Sequence, residues 1–167
     1  MTNKNYDTDV LEVENTSDSL NLGQLCIREL NLYDALSLVE ILEKPFDYDY
    51  DLAKQDLLPN IGIVKGIFKD DFLVGVCKVI YRKDIIKRIL EVIEVVDVHP
   101  EMFFLRFAVR EGFRGNGYGQ ILLNYILGDK SALCNANDLS SPESIHIYKK
   151  LGFKDIKKHD GFTYYFR

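Results

Sequence analysis

Three cysteines and three histidines are all that the 167 residues offer to a disulfide framework or a metal site. Cys26, Cys77 and Cys134 are odd in number, far apart and each set in an apolar segment, as buried reduced thiols are. His99, His146 and His159 show no ligand spacing, so no metal is expected. No apolar run is long enough to span a bilayer, and no signal-peptide pattern opens the chain. A cytoplasmic protein without a membrane partner is expected. Positive charge is also short, with 21 Lys and Arg against 26 Asp and Glu, a net charge of -5. With no basic stripe, nucleic acid is not expected as a partner. Repeats and low-complexity tracts are missing as well.

What remains, 47% apolar and 28% charged, suits one globular domain with a full core. The charge is uneven. Asp7, Asp9, Glu12, Glu14 and Asp18 against Lys4 put -4 of the -5 into residues 1–24. That polar stretch lacks periodicity and reads as an acidic, flexible leader, although Val10, Leu11 and Val13 would let it dock. The folded domain is expected over residues 25–167.

Along that domain, Leu25–Leu30 reads as a strand. Asn31 caps a helix carrying Leu32, Ala35, Leu36, Val39 and Leu42, and Pro45 stops it. A shorter helix covers roughly Leu52 to Leu58. Gly62–Phe68 and Phe72–Tyr81 flank Lys69-Asp70-Asp71 as a hairpin. Ile85, Ile86, Ile89, Leu90, Ile93 and Val96 form a helical stripe opposite Lys87, Arg88, Glu91 and Glu94. That stripe predicts a helix between Asp84 and Val98, though the β-branched content favours a strand. Met102–Val109 reads as a buried strand, Gln120–Leu127 as a helix stopped by Gly128, and Ser131–Asn135 as a strand. Ser141 and Pro142 start a last helix, with Ile145, Tyr148 and Leu151 on one face and Gly152 at its end. Gly161–Arg167 alternates like a final strand.

The most informative run, Val109 to Gly119, lies between the buried strand and the helix after it. Gly115, Gly117 and Gly119 lack Cβ atoms, so backbone N–H groups can crowd toward one object. The helix N-terminus adds the positive end of its dipole and Arg114 a full charge. Together they make a phosphate cradle. A Rossmann loop would need glycine where Gln120 stands and an acidic residue after the next strand, and neither is present. A Walker A loop would need Gly-Lys-Ser/Thr at its end, which is also missing.

The segment resembles the pyrophosphate loop of the GNAT family, the Gcn5-related N-acetyltransferases, with signature Arg/Gln-x-x-Gly-x-Gly/Ala. Arg114, Gly117 and Gly119 meet it, with Gly115 in addition. The late helix, ending Tyr148-Lys149-Lys150-Leu151-Gly152-Phe153, resembles the family's Tyr-x-Lys-x-Gly-Phe helix beside the pantetheine arm of acetyl-CoA. The resemblance implies an α/β (α+β) fold, with a central mixed, mostly antiparallel sheet of about six or seven strands flanked by helices. It implies acetyl-CoA as acyl donor, held by Phe107, Ala108, Val109, Arg114, Gly115, Asn116, Gly117, Tyr118, Gly119 and Ser141. Phe107 and Val109 would act through their backbones. Ser141 stands where the family usually has Asn, and the helix between 84 and 98 replaces a short turn.

By the same resemblance Tyr148 is the catalytic candidate. Collapse of the tetrahedral intermediate expels CoA as a thiolate, and a phenol with a reference pKa of about 10 stays protonated to receive it. The family's strand Glu, a base for the amine, aligns with Leu105. Glu94, Asp97, His99 and Glu101 lie nearby but read as surface charges, and no base is assigned. Lys149, Lys150, Lys154, Lys157 and Lys158 form a basic patch that reads mainly as solvated surface. Asp47, Tyr48 and Asp49, within the aromatic and acidic run Pro45–Asp51, are candidates for binding the acceptor amine, a cationic small molecule or a lysine side chain. The expected protein is thus an N-acetyltransferase, monomeric or homodimeric, acting by direct attack of a primary amine. The alternatives are an inactive acyl-CoA-binding sensor of the same fold, or an interaction module recruited through the acidic leader.

Overall fold

The computed structural model describes residues 9–10 (as backbone), 24–58, 61–137 and 141–167. Its elements run β1 (Asp9–Val10), β2 (Leu25–Glu29), α1 (Ala35–Phe46), α2 (Tyr50–Asp56), β3 (Ile63–Lys69), β4 (Phe72–Ile80) and α3 (Lys83–Val92). They continue with β5 (Met102–Val109), α4 (Tyr118–Leu127), β6 (Ala132–Asn137), α5 (Pro142–Lys150), β7 (Lys154–His159) and β8 (Phe162–Phe166). All eight strands share one sheet, in the order β1-β2-β3-β4-β5-β6-β8-β7. Each neighbouring pair is antiparallel except β5 with β6, which α4 connects.

Local chemistry accounts for most boundaries. Asp70 and Asp71 take φ of 50° and 64° between β3 and β4, the left-handed pair that a tight hairpin turn requires. Asn31 accepts from the Tyr33 N–H at 2.9 Å and the Asp34 carboxylate accepts from the Asn31 N–H at 2.9 Å, a capping box on the 3-10 turn before α1. A helix rather than a strand forms here, over residues 83–92, and it stops short of Val96, which is exposed. Ile86 is buried, and Ile85, Ile89 and Leu90 pack with Ile80, Phe103 and Leu133 on the sheet.

Four details depart from the sequence reading. α1 runs through Pro45 to Phe46 and ends where Asp47 turns left-handed at φ 50°, because a proline in the last turn costs only one late hydrogen bond. α2 starts at Tyr50 rather than Leu52, since the Asp49 carboxylate accepts from the Leu52 N–H at 2.8 Å and sets the start. Strand β7 was not expected in so polar a segment. It pairs with β8 across the Asp160-Gly161 turn and forms one edge of the sheet, where lysines discourage further pairing. The leader lies outside the described residues except for Gln24, whose N–H donates to Asp70, and Asp9–Val10, which pair with β2 at Ile27 and Cys26.

The core is split by the sheet. α4 buries Tyr118, Leu122, Leu123, Ile126 and Leu127 on one face, with Phe104, Phe107 and Tyr148. On the other face α1 and α2 cover Val64, Phe68, Val76 and Ala108, while α3 covers Phe103. A bulge in β5 sets which way its side chains face. Lys78 pairs with Arg106 and Val79 with Phe104, so Leu105 is an extra residue. Phe104 and Phe107 therefore share the α4 face, and Leu105 and Arg106 both point to the other.

Candidate active site

β5 and β6 pair only at Met102–Ala132, Phe103–Leu133 and Phe104–Cys134. Beyond Phe104 no ladder joins them, and Leu105 to Val109 on one strand and Asn135 to Asn137 on the other line a cavity of about 900 Å³. Main-chain groups along that open edge have no strand partner on the β6 side and must find another. α4, α5 and the end of α1 supply the remaining walls.

The loop from Arg110 to Gly117 enters the cavity wall from β5. Arg110 ties its start down: its N–H donates to Val74 O at 2.8 Å, its Nε to Leu73 O at 3.0 Å, and its Nη2 to Glu40 on α1 at 2.9 Å. Asn116 Nδ2 donates to the carbonyls of Phe113 and Arg114, both at 3.2 Å, which braces the turn from inside. Gly117 caps α4 at φ 81° and offers no side-chain acceptor. The first N–H groups of α4 are thus left for whatever occupies the cavity, which Gly117, Tyr118, Gly119 and Gln120 line. Gly119 is needed for a different reason. A Cβ there would stand 2.7 Å from the Phe107 ring and 3.1 Å from Val109 Cγ2, so glycine lets α4 close on β5.

Tyr148 comes from α5 with its ring packed against Phe107, Phe153 and Tyr165, at centroid distances of 6.2, 5.7 and 5.9 Å. Only 2% of the residue is exposed, yet it lines the cavity. Its hydroxyl has no protein hydrogen-bond partner among the described residues, and no fully buried side-chain oxygen there lacks one. The hydroxyl must therefore open to the cavity. Burial pushes the phenol well above its ordinary pKa, helped by Cys134, Cys77 and Tyr165, so it holds its proton.

Of the residues singled out from the sequence, Phe107, Ala108, Val109, Arg114, Gly115, Gly117, Tyr118, Gly119, Ser141 and Tyr148 all line this one cavity. Arg114 is exposed and anchored through Nε to Val109 O at 3.1 Å. Ser141 starts α5 without a side-chain capping bond. Asn116 lies in the loop but not in the wall. Glu94, Asp97, His99 and Glu101 do not line the cavity; Glu94 pairs with Lys157 at 3.5 Å and Glu101 accepts from the Ser131 N–H at 3.0 Å.

Asp47, Tyr48 and Asp49 do not line it either. Asp47 is the exposed end of α1 and Asp49 caps α2. Tyr48 is 2% exposed and donates its hydroxyl to Asp56 Oδ2 at 2.8 Å. Asp56 is the centre of a buried cluster that sequence reasoning missed. Its carboxylate accepts from Lys78 Nζ at 2.7 Å and from Arg106 Nη1 at 2.6 Å. Burial and the Asp56 charge together raise the Tyr48 pKa far above the tyrosine norm. Lysine and arginine interrupting the otherwise apolar strands β4 and β5 were the available signal. Among the described residues no group of three His, Cys, Asp or Glu is placed to hold a metal, and no helix is long and apolar enough to cross a membrane.

Among the described residues the sheet thus splits at its parallel pair, with a glycine loop and a helix N-terminus beside the split. The family model described as acetyltransferase (GNAT) domain matches residues 69–155. The chain belongs to that family. No curated protein matches it significantly. Among solved structures it is similar to a GNAT-family acetyltransferase from Streptococcus agalactiae at 19% identity, covering 86% of this chain and 94% of that one with a TM-score of 0.69. It is also similar to PaiA N-acetyltransferase from Thermoplasma acidophilum in complex with coenzyme A, at 14% identity, 86% and 98% coverage and a TM-score of 0.64. A third, NAA60 from Arabidopsis thaliana in complex with acetyl-CoA, gives 17% identity, 85% and 96% coverage and a TM-score of 0.62.

Proposed function

We propose that the protein is an N-acetyltransferase that moves the acetyl group of acetyl-CoA to a primary amine by direct attack. One observation carries the reading: the uncapped start of α4, the open edge of β5 and the Tyr148 hydroxyl all face one cavity. Acetyl-CoA supplies an acyl group already activated as a thioester. The α4 amides and the Arg114 guanidinium suit its diphosphate, and the open β5 edge suits the amides of its pantetheine arm. Complexes of PaiA with coenzyme A and of NAA60 with acetyl-CoA support the choice of ligand.

Tyr148 would donate its proton to the departing sulfur. Its raised pKa keeps the phenol neutral and ready as an acid throughout the physiological range. Among the described residues, Glu143 alone brings a carboxylate to the cavity wall, and Leu105 occupies the position aligned with the family's usual Glu. His146 also lines the wall, and no base is assigned to the acceptor amine. Leucine at position 105 is the one observation favouring a binder without turnover. Thiol release from acetyl-CoA with a panel of primary amines separates the two. Amine-dependent release that tracks acceptor concentration supports transfer. Binding of acetyl-CoA with no release above the hydrolytic background contradicts it.

A further inference from the structure

The acceptor end of the cavity carries an uncompensated positive charge. Asp56 is a single negative charge shared by two cations, Lys78 and Arg106. Lys78 is 3% exposed and spends its ammonium on the Asp56 carboxylate at 2.7 Å and on the Asp56 carbonyl at 3.1 Å. Tyr48 adds a neutral hydroxyl to the same carboxylate. The cluster therefore sums to one positive charge, and only Arg106, among Tyr48, Asp56, Lys78 and Arg106, reaches the cavity wall.

Arg106 makes one hydrogen bond among the described residues, from Nη1 to Asp56. Tyr48 lies under the guanidinium, with its ring centroid 5.5 Å from the central carbon. An arginine held by a buried carboxylate and an aromatic ring has little freedom to swing away, and its remaining donors form a planar fork. The side chain is 22% exposed, and Leu105, Ala108, Pro45 and Phe46 line the same cavity. A cation placed this way, with Asp56 as its one ion-pair partner and that carboxylate already shared with Lys78, invites an anion of matching geometry.

We infer that Arg106 is a specificity-determining residue that binds a carboxylate on the acceptor, so that the acceptor class is a primary amine bearing a carboxylate, as in an amino acid. The inference rests on the acetyl-transfer reading for the role of the amine. It departs from the cationic acceptor that the aromatic and acidic run Pro45–Asp51 suggested. The bulge at Leu105 is what makes it possible, because it turns Arg106 toward α2 while Phe107 keeps its place beside Tyr148.

The test uses binding rather than turnover. N-acetyl derivatives of the common L-amino acids, the products such an enzyme would make, are titrated against their carboxamides in the presence of CoA. For at least one pair the carboxylate should bind about tenfold more tightly or better, equivalent to about 1.4 kcal/mol. Arg106→Gln should bring that ratio to about one and Arg106→Lys, which keeps the charge for Asp56 but loses the fork, to an intermediate value. If Arg106→Gln fails to fold, Arg106→Lys carries the test, and an undiminished ratio there overturns the inference. Equal binding of every pair, or binding of neither member, also overturns it. Thiol release is measured in parallel: carboxylate preference without turnover sinks acetyl transfer alone, and turnover with no carboxylate preference sinks the role of Arg106 alone.

Discussion

At the α4 end of the cavity the groups proposed to hold the cofactor are main-chain amides, gathered within a dozen residues of sequence. At the Arg106 wall the groups are charged side chains drawn from α2, β4 and β5, residues 56, 78 and 106, of which Arg106 alone lines the cavity. The first kind of site is rigid because backbone conformation fixes it, with Gly117 at φ 81° and Asn116 bonded across the turn. The second is rigid because one buried carboxylate is saturated by three donors.

Removing the carboxylate that holds the Arg106 wall should have the largest effect. Asp56→Ala leaves Lys78 and Arg106 without a counter-charge, and breaking a buried pair from one side costs about 3–5 kcal/mol. Urea denaturation measures it; a loss below about 1 kcal/mol would show that the cluster does not organise that wall. Tyr148→Phe comes next. It should lower kcat by about 10²-fold while leaving the Kd for acetyl-CoA nearly unchanged, because only a proton donor is lost. In the parent protein kcat/KM should rise with pH until the acceptor amine is free. Burial raises the Tyr148 pKa, so no alkaline fall from that phenol is expected below about pH 10, the ordinary tyrosine value.

Gly119→Ala tests the α4 end. The new Cβ would sit 2.7 Å from the Phe107 ring. Overpacking of this kind costs about 1–3 kcal/mol, and acetyl-CoA affinity should fall with it as α4 moves off β5. A variant of full stability and affinity would mean that the helix start is not set by this contact. The smallest effect is expected from the triple change Asp47→Asn, Asp49→Asn and Asp51→Asn. Asparagine caps helices nearly as well as aspartate, and none of the three residues lines the cavity, so the acceptor KM should shift by less than about twofold. A tenfold rise would move acceptor binding from Arg106 back to the α1–α2 corner.

The same contrast decides how much was legible in the sequence. That Arg114, Gly115, Gly117 and Gly119 would line one cavity could be read because they are neighbours and each residue type has a local reason. The helix of residues 83–92 was half legible, because its periodicity favoured a helix while its β-branched residues favoured a strand. The Asp56 cluster could not be read, because 50 residues separate Asp56 from Arg106 and only the β4–β5 pairing and the bulge at Leu105 bring them together. Tyr48 misled for the same reason. An aromatic and acidic run looks like a cation trap until packing turns the tyrosine inward onto Asp56. Strand β7 was hidden by its lysines, although Asp160-Gly161 was a hairpin signal in plain view.

Calorimetric titration with acetyl-CoA and with S-acetylpantetheine, which lacks the diphosphate and nucleotide, tests the central claim most directly. If the 115–119 turn and the start of α4 hold the diphosphate, acetyl-CoA should bind at least about a hundredfold more tightly, close to 2.7 kcal/mol. Arg114→Ala should narrow that gap. Equal affinities for the two ligands, or no heat from either, would contradict the account.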